Sequence, residues 1–278
     1  MAQDSIAAPA EPAGLPVARR FRLPIALGAL VAWVLITALT PFHGARSSSP
    51  IGGLTDGPFW GAVFAAAFLV VLVAFCRWGD LGLNRPIAVG ALLRLLWLPL
   101  VYLLVFLVLA VTLAAVAGPP PPATAGFLLL NTGSAAISEE LMFRGVLFSA
   151  LRTKLRPIWA IAITTVLFGL VHLLNFSVFG TLAGVQAVAA AMSGLLFVAI
   201  RIRTGSLFPA MVFHGLWDFS LATIAERGLA LAKTAGTTAS GLSGAGDISL
   251  AMMLVPLALL LPNFLYALFL LRRRSQDG

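Results

Sequence analysis

Six ionisable residues lie inside long apolar stretches of this chain, in three short patterns: Glu139-Glu140-x-x-x-Arg144, Phe168-x-x-x-His172 and His214-x-x-x-Asp218. On a helix, Glu140 and Arg144 are one turn apart and share a face, with the glutamate N-terminal, the better order for an ion pair. In a low dielectric such a pair neutralises itself, and the guanidinium keeps donors for other neighbours. Glu139 is turned about 100° away and uses Arg144 less readily. His214 and Asp218 also stand one turn apart, so the carboxylate can fix the histidine's tautomer and stabilise its imidazolium. Asn175 follows His172 on the same face and can orient its ring; Phe168 precedes it by one turn. A carboxylate, two imidazoles and a site closed to bulk water are the parts that activate a water molecule by general acid–base catalysis. A charged side chain at the centre of a bilayer costs about 2.5–3.5 kcal/mol on insertion scales, which argues against six accidents.

The elements that must position these residues are membrane helices. Hydrophobic residues make up 60% of the 278-residue chain and charged residues 10%, with mean hydropathy +1.01; soluble domains carry about 25% charged residues. Apolar windows of roughly 20 residues predict about eight spans. They lie near Leu23–Leu39, Pro58–Cys76, Leu95–Ala117, Thr124–Leu151, Pro157–Phe176, Gly180–Ile202, Ser206–Ala225 and Ser249–Leu271. The expected fold is an all-α, polytopic membrane helix bundle. Basic residues outside the spans alternate by loop. One side receives Arg19, Arg20, Arg22, Arg77, Arg85, Arg94, Arg152, Lys154, Arg156, Arg201, Arg203, Arg272, Arg273 and Arg274; the other receives Arg46, Arg227 and Lys233. The positive-inside rule then puts both termini in the cytoplasm. The net charge of +8 therefore reads as topology and anionic headgroups, not as a nucleic-acid surface.

The organisation follows from these spans. Residues 1–22 form a basic cytoplasmic tail, disordered over its Ala/Pro-rich first 18 residues, and the apolar run after it is a retained helix, not a cleaved signal. Residues 23–123 hold spans one to three, and 124–226 hold the four spans with the charged patterns. Residues 227–248 form a flexible external loop, Gly/Ser/Thr-rich from 235 onward, and 249–278 the last span and a basic tail. Pro119 to Pro122 must end the third span, because proline cannot continue a helix. The stretch Asn84-Arg85-Pro86 can begin a short interfacial helix. Cys76, the single cysteine, offers neither a disulfide nor a thiolate metal site.

In order, spacing and placement on separate helices, the three patterns resemble the signature motifs of the CAAX-protease and bacteriocin-processing (CPBP, or Abi) intramembrane endopeptidases. The resemblance covers about Thr124–Phe219. It implies hydrolysis of a peptide bond in a membrane-associated protein or peptide, within the lipid bilayer. Glu139 would be the general base, acting on a water that His172 helps position, and His214 with residue 218 would stabilise the oxyanion. Glu140, Arg144 and Phe168 would support the site. The family pattern accepts Asn or Asp at position 218. An Asn donates to an oxyanion and an ionised Asp does not, so Asp218 is expected to sharpen His214 as a donor or to be protonated itself. A prenylated CAAX tail is the substrate of the namesake branch, but no residue here identifies a prenyl pocket. The expected location is the inner membrane of a bacterial cell.

Other readings use the same residues. Glu139, His172 and His214 match the His₂Glu donor set of zinc hydrolases. With neutral histidines the site holds three carboxylates and one arginine, an excess of negative charge that Zn²⁺ or protons would offset. The reading that needs no cofactor is preferred, since the His-Glu-x-x-His helix is absent and each histidine is alone on its span. A non-proteolytic immunity or scaffold protein of the same family would tolerate loss of Glu139, His172 or His214, and all three are present. A proton-coupled transporter also uses intramembrane Glu and His, but the internal repeat typical of such proteins is not found.

Overall fold

The computed structural model describes residues 16–40, 51–83, 85–175, 180, 182–236 and 250–273. Among these it is a helix bundle without strands. A short α1 (Pro16–Arg20) leads into α2 (Arg22–Leu39). The small α3 (Gly52–Thr55) precedes α4 (Trp60–Cys76), and the short α5 (Val89–Leu95) precedes α6 (Trp97–Ala117). Next comes α7 (Pro122–Glu140), a π-helical segment Leu141–Leu147, and α8 (Phe148–Arg152). Then follow α9 (Pro157–Val171) with a 3₁₀ turn at His172–Asn175, α10 (Leu182–Thr204), α11 (Phe208–Thr234) and α12 (Leu250–Arg273).

Each of the expected spans falls on one of these helical runs. Arg22–Leu39, Trp97–Ala117, Pro157–Asn175, Leu182–Thr204 and Leu254–Arg272 are long and apolar enough to cross a membrane, and Trp60–Cys76 is apolar but shorter. The remaining long runs, 122–152 and Phe208–Thr234, contain Glu139, Glu140, Arg144, His214 and Asp218. The polarity of the bundle is that of a membrane protein. Val70, Val71 and Phe75 on α4 and Leu104, Val105 and Val111 on α6 are exposed, whereas Glu140, Arg144 and His214 are buried.

Proline sets several boundaries. Pro122 and Pro157 stand in the first turns of α7 and α9, where a missing N–H leaves no intrahelical bond unmade. Gly118, at φ 81°, closes α6 ahead of the proline run. Several local expectations change. Helix begins at Pro16, inside the stretch read as a disordered tail; residues 1–15 lie outside the described residues, as do 237–249 of the expected Gly/Ser/Thr-rich loop. α11 runs on to Thr234, so residues 227–234 are helix and not loop. The short helix expected after Asn84 begins at Val89, beyond Pro86. The fourth span is not one uniform helix, because the π segment interrupts it directly after the two glutamates.

The packing brings the charged patterns together. α11 lies along α6 and α7, and α10 lies between α9 and α12, while α4 packs against α2 and α7. One end of the bundle is tied by charge: Arg22 donates to Asp80 Oδ1 at 2.7 Å, Arg201 donates to the Asp80 carbonyl at 3.0 Å, and Leu207 N–H reaches Gly82 O at 3.0 Å. About 28 Å along α11 from its start, Arg227 pairs with Glu226 and donates to the Gly118 carbonyl at 2.9 Å.

Asn131 on α7 holds the segment before α4. Its amide donates to Leu54 O at 3.0 Å and Gly57 O at 2.9 Å and accepts from Phe59 N–H at 2.7 Å. Asn131 is fully buried, so Asn131→Leu orphans three backbone groups at once. The expected result is a destabilisation of about 1–3 kcal/mol, read as a lowered unfolding transition in detergent; an unchanged transition would show that these bonds are replaced.

Candidate active site

The fourth run carries the two glutamates at the junction of α7 with the π segment, where Phe148 N–H bonds to Phe143 O in the i→i+5 pattern. Such π turns are concentrated at functional sites, because the extra residue re-aims the side chains beside it. Trp33 on α2 donates to Ser138 Oγ at 3.4 Å, fixing the face that α7 turns to α2.

The adjacent glutamates take different environments. Glu140 is 0% exposed. Its Oε1 accepts from Arg144 Nη1 at 2.9 Å and from His214 Nδ1 at 3.0 Å. Glu139 is only half-buried and faces His214 Nε2 across 3.8 Å. It also lies within electrostatic reach of His172, Asp218 and Glu140. Arg144 sits in an aromatic bed, its guanidinium 4.0 Å from the Phe168 ring centre and 5.2 Å from that of Phe197. Cation–π attraction is strongest when the cation is desolvated, as here.

His214 is buried and stacks on Phe197, with ring centres 4.5 Å apart. Its Nε2 is 3.3 Å from Asp218 Oδ2. Carboxylates only accept, so a ring with Glu140 on one nitrogen and Asp218 on the other is a donor on both sides. The expected His214–Asp218 pair is therefore present, but Glu140 holds Nδ1. The ring's orientation is set by the glutamate as well as by the aspartate.

His172 stands where α9 gives way to the 3₁₀ turn. Its Nδ1 lies 2.7 Å from the Phe168 carbonyl. Since a carbonyl can only accept, Nδ1 carries a proton, and in the neutral ring Nε2 is then the nitrogen with the lone pair. Asn175 does not orient this ring, because its amide donates to Gln186 Oε1 at 3.1 Å. Phe168 is the common neighbour. Its carbonyl holds His172, and its ring meets His172 at 4.9 Å, His214 at 6.2 Å and Phe143 at 5.1 Å.

All seven site residues expected from the sequence thus meet in one cluster around Phe168, Arg144 and His214. The sequence reading missed Phe197, which nothing in its neighbourhood distinguishes from lipid-facing phenylalanines.

The residues 121–220 match the family model described as type II CAAX prenyl endopeptidase Rce1-like. This region is similar to the CAAX-protease family. The match runs from the proline-rich loop through α7, the π segment, α8, α9 and α10 into α11, and contains every charged residue of the cluster. α1 to α6 and α12 lie outside the CAAX-protease match. No curated protein and no solved structure matches the chain.

The zinc reading needs Glu139, His172 and His214 as one ligand set. Both ring nitrogens of His214 already face carboxylates. Among the described residues, no three His, Cys, Asp or Glu side chains are grouped to hold a metal ion.

Proposed function

We propose that this integral membrane protein is an intramembrane endopeptidase in which Glu139 activates water against a peptide bond of a membrane-associated protein or peptide. The observation that carries this reading is the asymmetry of the adjacent glutamates. Glu140 is sealed between Arg144 and His214, whereas Glu139 stays partly open and faces the same histidine ring.

Each group has a task. Glu139 takes the proton of a water whose second hydrogen is accepted by His172 Nε2, and the water oxygen attacks the carbonyl carbon. Negative charge develops on the carbonyl oxygen, where a preorganised donor contributes most. His214 Nε2–H is that donor, and Asp218 sharpens it. Glu139 then delivers its proton to the amide nitrogen, the C–N bond breaks, and a carboxylate and an amine leave. Glu140 and Arg144 hold His214 in place and do no proton transfer.

The reading is tested with the full chain in detergent or liposomes and a library of membrane-anchored peptides, with both fragments identified by mass spectrometry. Internal cleavage is expected. A strong zinc chelator is expected to leave kcat/KM within about twofold of the untreated value. Cleavage that the chelator abolishes and added zinc restores would overturn the metal-free mechanism.

A further inference from the structure

Gly194 on α10 belongs to none of the three motifs, yet it borders the buried guanidinium at their centre. A Cβ built on Gly194 would stand 2.9 Å from Arg144 Nη2 and 2.9 Å from Phe168 Cδ1. Real Cβ atoms essentially never come so close, so one of these groups would have to move. Neither has room. Arg144 is 1% exposed and Phe168 is 1% exposed, and the guanidinium already lies 4.0 Å from the Phe168 ring centre. Nη2 finds no hydrogen-bond partner among the described residues. What accommodates it is the space that a side chain at 194 would fill. Glycine is among the poorest residues for a helix interior, so α10 carries a weak helix former at the point where it passes the site.

We propose that Gly194 is a positioning residue for this site, acting through Arg144. The missing side chain is a slot for Nη2. That slot fixes Arg144 Nη1 at 2.9 Å from Glu140 Oε1, Glu140 fixes His214 Nδ1 at 3.0 Å, and the far nitrogen of the same ring is the one that faces Glu139. A methyl at 194 pushes the guanidinium out of register, and the displacement reaches the His214 ring through two hydrogen bonds. Only the activity arm of the test rests on the proteolytic reading.

The experiment compares Gly194→Ala with two controls in the full-length protein. Gly184→Ala is on the same helix with nothing within 4 Å of the new methyl, and Gly61→Ala introduces a clash with Phe59 and Thr37 away from the site. The chain has three histidines, at 43, 172 and 214, so the ring ¹⁵N signals of histidine-labelled protein can be assigned by single substitutions. Gly194→Ala is expected to shift the His214 ring signals and to lower kcat by about tenfold or more with KM within about twofold. Gly184→Ala should change neither. Gly61→Ala should lower thermal stability and leave the His214 signals in place. If Gly194→Ala does not fold, Arg144→Lys is compared with Arg144→Lys/Gly194→Ala. Lysine has no Nη2 and frees space beside Phe168, so the added methyl should then leave the His214 signals and stability unchanged. His214 signals unmoved in Gly194→Ala, or a further shift caused by Gly194→Ala in the lysine background, would overturn the proposal. A shifted His214 in a protein that cleaves nothing would uphold the positioning role and refute the protease reading instead.

Discussion

Glu139→Gln is expected to reduce peptide cleavage by about a thousand-fold, within the range that general acid–base groups contribute. The substitution keeps the side-chain volume and a carbonyl oxygen toward His214, so the helix junction and the contact across 3.8 Å can persist. It removes only the ability to take a proton from water and return it to the leaving amine. Because Glu139 is half-buried and outside the Arg144 pair, the loss should come without a large change in folding. Helicity and the unfolding transition, measured beside the cleavage rate, check this. Cleavage within about tenfold of wild type would remove Glu139 from the mechanism.

Arg144→Leu is expected to act the other way, chiefly on stability. Glu140 is 0% exposed, and its neighbours are Arg144 and His214. Removing one partner of a buried pair costs about 3–5 kcal/mol, offset in part here by the bond that Glu140 keeps to His214 Nδ1. The aromatic bed of Phe168 and Phe197 also loses its cation. Equilibrium unfolding in detergent should show the loss, and Glu140→Gln in the Arg144→Leu background should recover part of it, because the stranded charge is then gone. A single variant as stable as wild type would mean that the pair is not desolvated in the membrane. The two predictions separate the adjacent glutamates, one by chemistry and one by folding.

Much of the site was legible because helix periodicity is local. Glu140 and Arg144 lie one turn apart, and their bond at 2.9 Å follows from spacing and side-chain reach. The same holds for His214 and Asp218. The apolar runs were equally legible, since a span must satisfy its backbone internally and turn apolar side chains to lipid. Helix ends were less so. α11 continues past Ala225 to Thr234, because the Glu226–Arg227 pair and the bond to Gly118 accommodate charges that hydropathy reads as a boundary.

The sequence by itself determined that carboxylates, imidazoles and a guanidinium would be placed in membrane helices at one-turn spacings, and which residues those are. Only the tertiary structure decided how they divide the work. Glu140 meets His214 across 74 residues of chain, Phe197 comes from a helix with no motif to stack on that ring, and Gly194 leaves the space that Arg144 Nη2 enters. Spacing along one helix fixes which residues share its face. The rotation and approach of neighbouring helices, set by side-chain volumes along their whole length, fix which faces meet.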